Sequence, residues 1–157
     1  MRARVLLVLS GLLGGLLVAE GAARLVPAPD TFEAGIRAFG QALVVGDAAT
    51  SHRLVPNASV TLNGVLYETT ALGTRGPELA PRDGSTVLAV GDSVTFGWGV
   101  AASDAWPAQL EAQLRAAGKP QRVMNAGVPG YGVAESVARL AELLPKVRPS
   151  RVLLGYY

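Results

Sequence analysis

The chain has no cysteine, one histidine and few charged residues for its length of 157. Without cysteine, a disulfide framework, a thiolate metal site and cysteine lipidation are all excluded. Charged residues make up 17% of the chain, and 14 scattered Lys and Arg side chains are nearly balanced by 12 Asp and Glu. A nucleic-acid partner is not expected, because that function needs basic residues clustered on one surface.

Hydrophobic residues are abundant instead, at 50% of the chain, which suits one folded domain with a sizeable core. The longest uncharged run covers residues 5 to 19 and follows Arg2 and Arg4. Its 15 residues are short for a bilayer span, which needs about 20. Extension to Val26 gives enough length and includes Glu20 and Arg24, which are spaced i, i+4 on a helix and can pair.

Residues 1 to 26 are therefore predicted to form a signal anchor, a single transmembrane helix that makes the cell membrane a partner of the protein. A cleaved signal peptide is the alternative, because small residues alternate around residues 19 to 23. Arg2 and Arg4 ahead of the apolar run predict a cytoplasmic N-terminus. Both interpretations place the following residues outside the cytoplasm, either anchored or secreted.

The middle of the chain separates into a connector and a small β-region. Residues 27 to 50 are predicted to be a connector with one short helix around residues 32 to 43. Residues 51 to 85 are predicted to precede the main domain. They include a β-hairpin over residues 59 to 68, where Asn63-Gly64 supplies the two positive φ angles of a tight turn. Residues 73 to 85 are rich in Gly and Pro and indicate a surface loop.

Residues 86 to 157 alternate between strand and helix patterns. Strands are predicted at residues 86 to 90, 122 to 125 and 151 to 155, which gives a parallel sheet with right-handed crossovers. A first helix is predicted to be capped by Ser103 or Asp104 and to end before Gly118. Its apolar stripe consists of Trp106, Leu110, Leu114 and Ala117. Three strands and two helices hardly cover both faces of such a sheet, so the sequence is expected to be the front part of a longer protein.

The second predicted helix places its apolar residues on one stripe. These are Val133, Val137, Leu140 and Leu144. Glu135 and Arg139 are spaced to form an ion pair, which is expected on the solvent side of this helix.

The stretch GDSVTFGWG at residues 91 to 99 directly follows the first strand and admits three interpretations. A phosphate-binding loop would need a lysine and a different glycine spacing. An esterase elbow of the G-x-S-x-G type is absent, because residue 95 is threonine. A tight turn without chemistry remains possible, since serine is common in turns. NAGVPGYG and GYY follow the other two strands, so all three segments converge on the carboxyl edge of the sheet, where ligands bind in such folds.

Together, Gly91-Asp92-Ser93 and Asn125-x-Gly127-x-x-Gly130 resemble the motifs of the GDSL-like or SGNH hydrolases. Further stretches are similar to a bacterial membrane-anchored subgroup, and the resemblance runs from about residue 51 to residue 157. These stretches are PNASV at 56 to 60, LGTRGPE at 72 to 78 and VLLGYY at 152 to 157. One departure is ETTALGT at 68 to 74, where the subgroup has an Asn-containing stretch that ends in Gly-Phe-Arg-Gly.

The resemblance implies a three-layer α/β/α fold of the flavodoxin-like SGNH type, incomplete in these residues and preceded by the N-terminal helix and the β-hairpin. It also implies that Ser93 is the nucleophile, and that the N–H groups of Ser93 and Gly130 stabilise the oxyanion, each such donor contributing about 2.7 to 4 kcal/mol in serine proteases. Asp92 is expected to stabilise the turn. An Asn donor, the base His and its Asp are expected after Tyr157, so these residues alone should be inactive.

The implied activity is hydrolysis of acyl esters through an acyl-enzyme on Ser93, with no cofactor and no metal. The expected substrate is a small acyl ester or a glycan, and the ester could be an O-acetyl group of a carbohydrate or lipid. Two alternatives remain open: acyl transfer to a cell-surface glycan on the same fold, and a non-catalytic surface binding module. His52 lies outside the family's C-terminal histidine motif and is expected to be a surface residue.

Overall fold

A computed structural model describes residues 2–25, 31–78, 86–119 and 121–155, and the chain divides into two compact units, Met1–Ala34 and Gly35–Tyr157. The first unit contains helix α1, Arg2–Leu25. Helix α2, Thr31–Leu43, begins in the first unit and ends in the second.

Helix α1 exposes its apolar side chains on every side. Its segment Arg4–Leu25 has 22 residues, a mean hydropathy of 2.0 and no buried part. Glu20 and Arg24 form the expected i, i+4 ion pair, at 2.8 Å. By length and composition this helix is sufficient to cross a membrane, and a signal sequence near an N-terminus has the same properties.

The predicted helix around residues 32 to 43 is present as α2, and its last turns are part of the second unit's core. Phe39 and Leu43 are buried. The chain then forms an antiparallel hairpin from β1, Val44–Asp47, and β2, Ser51–Leu54, which the sequence pattern does not predict. At its turn, Asp47 accepts hydrogen bonds from the Thr50 hydroxyl and from two backbone N–H groups, and these bonds lower the pKa of that carboxyl.

The predicted hairpin at residues 59 to 68 is confirmed as β3, Ser59–Leu62, and β4, Val65–Glu68. Asn63 and Gly64 have φ angles of 50° and 78°, as its turn requires. Both hairpins contribute to one apolar cluster with residues of the main domain. Its buried members are Phe39, Leu43, Leu54, Tyr67, Phe96, Val128 and Tyr131.

The parallel sheet is confirmed, with the strand order β6-β5-β7. Strand β5 is Thr86–Gly91, and it is followed by the one-turn helix α3, Ser93–Phe96, and by α4, Trp106–Ala116. Strand β6, Arg122–Gly127, leads to α5, Val133–Val147, and then to β7, Arg151–Gly155.

Helices α4 and α5 cover opposite faces of this sheet, because successive side chains of a strand point to opposite sides. Val87 and Ala89 of β5 pack in one cluster with Trp106, Leu110 and Leu114 of α4. Leu88 and Val90 pack in another with Leu143 and Val147 of α5. The described residues therefore form part of the expected three-layer α/β/α fold.

The buried face of α5 differs from the predicted one. Val133, Val137 and Leu144 are 41% to 52% exposed, whereas Arg139 is 2% exposed. Arg139 donates to the backbone carbonyls of Leu72 and Gly73, and it pairs with Glu142, not with Glu135. The prediction was wrong because buried carbonyls of a neighbouring loop need donors, and an arginine on α5 supplies them.

Two smaller predictions also need correction. Helix α4 begins after Ala105, which has no side-chain cap, so neither Ser103 nor Asp104 is the N-cap. A proline in the first turn starts this helix instead.

The segment predicted as a surface loop starts with buried residues. Thr74 and Arg75 are both buried, and Arg75 forms an isolated β-bridge with Asn125 of β6. The rest of that segment, residues 79 to 85, lies outside the described residues.

Candidate active site

Ser93 is the first residue of α3 and follows the carboxyl end of β5. Asp92 caps this helix by accepting the Val94 N–H at 2.8 Å, which is the expected role in the turn. Gly97 ends the helix in the left-handed conformation, at φ 81°. Ser93 is partly exposed, and within the described ranges its hydroxyl has no hydrogen-bond partner. The turn therefore presents a serine hydroxyl at the carboxyl edge of the sheet that none of the described residues binds.

Three glycines in register let α3 lie close against the ends of the strands. Gly91 pairs with Gly127 on one side and with Gly155 on the other. A Cβ at Gly127 would meet the backbone of Thr95 and Phe96, and a Cβ at Gly91 or Gly155 would meet the Thr95 side chain. The one-turn helix needs a strand end without side chains beneath it. This row was missed in the sequence, although Gly91 follows the first predicted strand, Gly127 lies two residues after the second, and Gly155 ends the third.

Arg75 fixes the end of α3 from inside the protein. Its guanidinium donates to the carbonyls of Phe96, Gly97 and Val100, the first at 2.6 Å. The side-chain amide of Asn125 donates to the Phe96 carbonyl at 3.2 Å, and the backbone carbonyl of Asn125 accepts the backbone N–H of Arg75 at 2.8 Å. The loop after Ser93 is thus attached to both β6 and the segment before β5.

The charge of Arg75 is accommodated without a carboxylate among its described partners. The guanidinium lies 4.8 Å from the ring centre of Tyr67 and 4.6 Å from that of Phe96. Contact with aromatic faces and with several carbonyl oxygens offsets part of the desolvation of this side chain. Burial nevertheless lowers the pKa of Arg75 from its ordinary value.

Gly130 lies in the loop after β6, the strand that pairs with β5. Its φ is 86°, and the Tyr131 N–H donates to the Val128 carbonyl across it at 3.2 Å. Over the described part of the chain, the Gly130 N–H donates no hydrogen bond, and neither does that of Ser93. Both N–H groups assigned to the oxyanion by the resemblance are therefore unoccupied by other described acceptors.

The loops that carry Ser93 and Gly130 are joined at their bases. Strands β5 and β6 are adjacent, and the Val128 N–H donates to the Gly91 carbonyl at 2.9 Å. The structure thus brings the two segments to one edge of the sheet, through the strands that precede them.

His52 occupies a position that the sequence does not indicate. It is half-buried on β2, and its Nε2 lies 2.9 Å from the Pro129 carbonyl oxygen, next to Gly130. Its Nδ1 lies 2.9 Å from the Ser51 hydroxyl. Because both ring nitrogens are engaged, His52 has none free to accept a proton from Ser93. The ring is partly exposed, as expected for a surface histidine, and it lies between the first hairpin and the loop after β6.

A depression of about 430 Å³ lies beside Ser93. It is lined by Ser93, Val94, Gly97, Trp98, Val100, Asp104, Ala105 and Trp106. Trp106 also packs against the sheet, and Trp98 against Phe39, with ring centres 4.5 Å apart. In the described ranges, no group of three or more His, Asp or Glu side chains is placed to hold a metal ion. The depression offers apolar walls next to a hydroxyl.

Comparison with known proteins identifies the segment that carries these features. Residues 89–156 match the GDSL-like Lipase/Acylhydrolase family. Over 69 residues the chain is 38% identical to Esterase TesA of Pseudomonas aeruginosa, a match that covers 44% of this chain and 34% of that protein. The chain spans about a third of the length of this curated relative.

Solved structures give matches of similar extent. The crystal structure of TesA is 36% identical, covers 46% of this chain and 40% of that chain, and superimposes with a TM-score of 0.44. AlinE4, described as a SGNH-hydrolase family esterase, is 30% identical, with coverages of 49% and 42% and a TM-score of 0.44. The matched residues 89–156 contain both glycine-rich motifs, so this part of the chain is similar to the GDSL-like Lipase/Acylhydrolase family.

Proposed function

We propose that the protein is a serine esterase that hydrolyses acyl esters, with Ser93 as the nucleophile. The observation that carries this proposal is the hydroxyl of Ser93, free of described partners, at the carboxyl edge of the sheet, one strand away from the Gly130 N–H. Ser93 attacks the ester carbonyl, the ester C–O bond breaks and the alcohol leaves with a proton, and water then hydrolyses the acyl-enzyme to the free acid and Ser93. The relative named Esterase TesA supports this reaction class.

The N–H groups of Ser93 and Gly130 bind the oxyanion that develops on the ester carbonyl oxygen. Fixed backbone donors suit this role because they need no rearrangement when the charge forms. The glycine row beneath α3 and the Arg75 bonds at its end support such fixation. The proton of Ser93 must pass to a base, and His52, the chain's only histidine, is engaged elsewhere. The base and its acidic partner, which the resemblance expects after Tyr157, are therefore proposed to be residues other than His52.

The substrate is an acyl ester whose acyl or alcohol part contacts the depression beside Ser93. Its lining by Trp98, Trp106 and two valines favours an apolar portion of the substrate. O-acetyl groups of carbohydrates or lipids at the cell surface fit the proposed location. That location is the outer side of a membrane, with α1 as a single-pass anchor; Arg2 and Arg4 before the apolar run support this orientation.

The nucleophile is tested with a fluorophosphonate probe and an aryl acetate, on the 157-residue chain and on a form that includes its natural C-terminal continuation. We expect labelling and turnover only in the extended form. Ser93→Ala should abolish labelling and lower turnover by up to about 10⁶-fold, as for loss of a protease nucleophile. Ser103→Ala is the matched control, because Ser103 is an exposed serine outside α3.

Other results of this experiment would redirect the assignment. Full activity of the Ser93→Ala variant would reduce Ser93 to a turn residue, and activity of the short chain would contradict the need for an external base. Faster consumption of the acyl donor when a glycan acceptor is added, with an acylated glycan as product, would indicate acyl transfer. Absence of labelling in both forms would favour the surface binding module.

The membrane location is tested by a reporter that is active only outside the cytoplasm, fused after Gly84. We expect an active reporter that sediments with membranes. A soluble reporter whose N-terminus begins near residue 22 would instead show cleavage of a signal peptide. An inactive reporter would contradict both exported locations.

A further inference from the structure

The peptide bond between Pro129 and Gly130 contains two groups that matter here. One is the Gly130 N–H, the proposed oxyanion donor, and the other is the Pro129 carbonyl, which contacts His52. Residues 128 to 131 form a β-turn, in which the Tyr131 N–H donates to the Val128 carbonyl at 3.2 Å. Pro129 in the second position and Gly130 in the third, with φ 86°, are the signature of a type II turn. Type I and type II turns differ mainly by a flip of this central peptide, so its orientation is a two-state variable.

The direction of the Gly130 N–H follows from the direction of the Pro129 carbonyl. No described peptide bond is cis, and in a planar trans peptide the N–H and C=O point in opposite directions. A group that fixes the Pro129 carbonyl oxygen therefore also fixes the opposite direction for the Gly130 N–H.

His52 is that group. Its Nε2 lies 2.9 Å from the Pro129 oxygen. A carbonyl oxygen can only accept, so Nε2 must carry the proton. The ring is itself held, because Nδ1 contacts the Ser51 hydroxyl at 2.9 Å and the Tyr131 ring lies edge-on at 5.2 Å. The Tyr131 hydroxyl also donates to the His52 carbonyl at 2.6 Å, which attaches the turn to β2 a second time.

We propose that His52 is a positioning residue for the oxyanion donor: its Nε2–H holds the Pro129 carbonyl and so directs the Gly130 N–H away from β2, towards the site of Ser93. This inference rests on the function proposed above for Ser93 and Gly130. It assigns a catalytic contribution to the hairpin of β1 and β2, which precedes the residues that match the family.

The expected size of the effect follows from the strength of one hydrogen bond. A net hydrogen bond shifts a two-state equilibrium by about twofold to tenfold. Loss of the His52 bond should therefore lower kcat by up to about tenfold. That reduction is smaller than the roughly 10²-fold to 10³-fold loss of kcat that follows removal of an oxyanion donor. KM should change little, because the donor acts on the charge that develops in the transition state.

The hydrogen bond can be observed directly in the 157-residue chain by NMR, without any need for activity. His52 is the only histidine, and Pro129-Gly130 is the only Pro-Gly pair in the sequence. Labelling with ¹⁵N-histidine, ¹³C′-proline and ¹⁵N-glycine therefore gives a single imidazole and a single Pro-Gly amide signal. We expect a protonated Nε2 with a coupling across the hydrogen bond to the Pro129 carbonyl carbon. A proton on Nδ1 alone, or a carbonyl signal typical of a solvated peptide, would overturn the proposal.

Two variants distinguish the effect of the His52 Nε2–H donor from the effect of the ring's shape. His52→Phe keeps a planar ring and removes the donor, so the Gly130 amide signal should shift and broaden as the peptide samples both orientations. His52→Gln restores an N–H donor at a similar distance and should return the signal towards its original position. Ser51→Ala removes the Nδ1 contact that holds the ring but keeps the Nε2–H donor, so it should shift the Gly130 signal less than His52→Phe does. A Gly130 signal that is unchanged in His52→Phe would overturn the proposal, and the direct coupling decides it should that variant fail to fold.

The kinetic measurement uses a form of the protein whose aryl acetate hydrolysis depends on Ser93. We expect His52→Phe to lower kcat with little change in KM, and His52→Gln to restore most of it. Unchanged kcat in His52→Phe, while Ser93→Ala is inactive, would overturn the positioning role alone. Activity that is insensitive to Ser93→Ala would overturn the proposed function, and the oxyanion role of Gly130 would fall with it.

Discussion

Two apolar runs of this chain, one in α1 and one in β5, reach opposite states. The side chains of Val5, Leu6 and Leu7 in α1 are 53% to 72% exposed, whereas Val87 and Leu88 in β5 are at most 3% exposed. The strand is covered because helices pack on both of its faces. The helix has apolar residues all round, which no single contact face within a small domain could bury.

Two apolar segments can therefore differ completely in burial, and hydrophobicity alone does not predict which one is buried in the protein. A strand of six residues is covered by two helices, α4 and α5, that follow it in the chain and pack on its opposite faces. A helix of 24 residues without a polar face suits a lipid environment, where its backbone bonds are all internal.

A charge in each run should have different consequences. Leu88→Asp places a carboxylate in the core and should destabilise the second unit by more than about 4 kcal/mol, enough to unfold it. Leu12→Asp, near the middle of α1, should leave that unit folded and weaken membrane insertion, because a central charge costs about 2.5 to 3.5 kcal/mol there. Fluorescence reports on the second unit alone, since both tryptophans, Trp98 and Trp106, belong to it.

Leu88→Ile and Leu12→Ala are the controls for the two charged variants. Each keeps an apolar side chain at its position, so both should fold and associate with membranes like the parent chain. Loss of the folded fluorescence spectrum in Leu12→Asp would contradict the separation of the two runs.

Removal of the Arg75 side chain should have the next largest effect. Arg75→Ala removes three hydrogen bonds from a charged group, to the carbonyls of Phe96, Gly97 and Val100, and each bond of this kind contributes about 1.5 to 3 kcal/mol. We expect a loss of several kcal/mol in the free energy of unfolding, measured by urea titration of tryptophan fluorescence.

Arg75→Lys is the informative companion. A lysine keeps the charge but lacks the planar fork that reaches several carbonyls, so it should recover only part of the loss. Complete recovery would show that the charge of Arg75, and not its hydrogen-bond geometry, stabilises the loop.

The contact between α3 and the strand ends is tested at Gly127. Gly127→Ala places a methyl group against the backbone of Thr95 and Phe96, which cannot move like a flexible side chain. We expect destabilisation by about 1 to 3 kcal/mol, typical of overpacking, and a change in the position of Ser93. Gly46→Ala is the control, because a Cβ there meets nothing within 4 Å. Equal stabilities of the two variants would argue against the close approach.

The smallest effect is expected from the ion pairs of Glu142. Burial raises the pKa of this carboxyl, but hydrogen bonds from Lys146 and Arg139 outweigh it and hold the pKa below its ordinary value of 4.5. A depressed folded pKa gives stability that is present above pH 4.5 and is lost as the pH falls through the lower folded value.

Glu142→Gln should therefore reduce the difference in stability between pH 7 and pH 3, as measured by thermal unfolding at both values. The carboxylate is partly exposed, so the change should stay below about 1 kcal/mol. If the pH dependence of stability were identical to that of the parent chain, carboxylates other than Glu142 would be its cause.

Local patterns were good guides wherever short-range chemistry dominates. Asn63-Gly64 predicts its hairpin because few residues adopt two successive positive φ angles. The three β-rich runs predict the parallel sheet because strands alternate with helix-length segments. The Ser93 turn was predicted at the correct end of its strand for the same reason. The orientation of α5 could not be predicted, since its apolar stripe and its buried face differ.

Sequence patterns alone place the apolar helix, the three strands of the parallel sheet and the two glycine-rich motifs along the chain, because each depends on nearby residues. The contacts of Arg75, Arg139 and His52 follow only from the folded arrangement. Each of these side chains donates to backbone carbonyls more than twenty residues away in sequence, at separations of 21, 67 and 77 residues. Such a partner is set by which loops the fold brings together, since any buried carbonyl must find a donor and no local pattern states which one will serve.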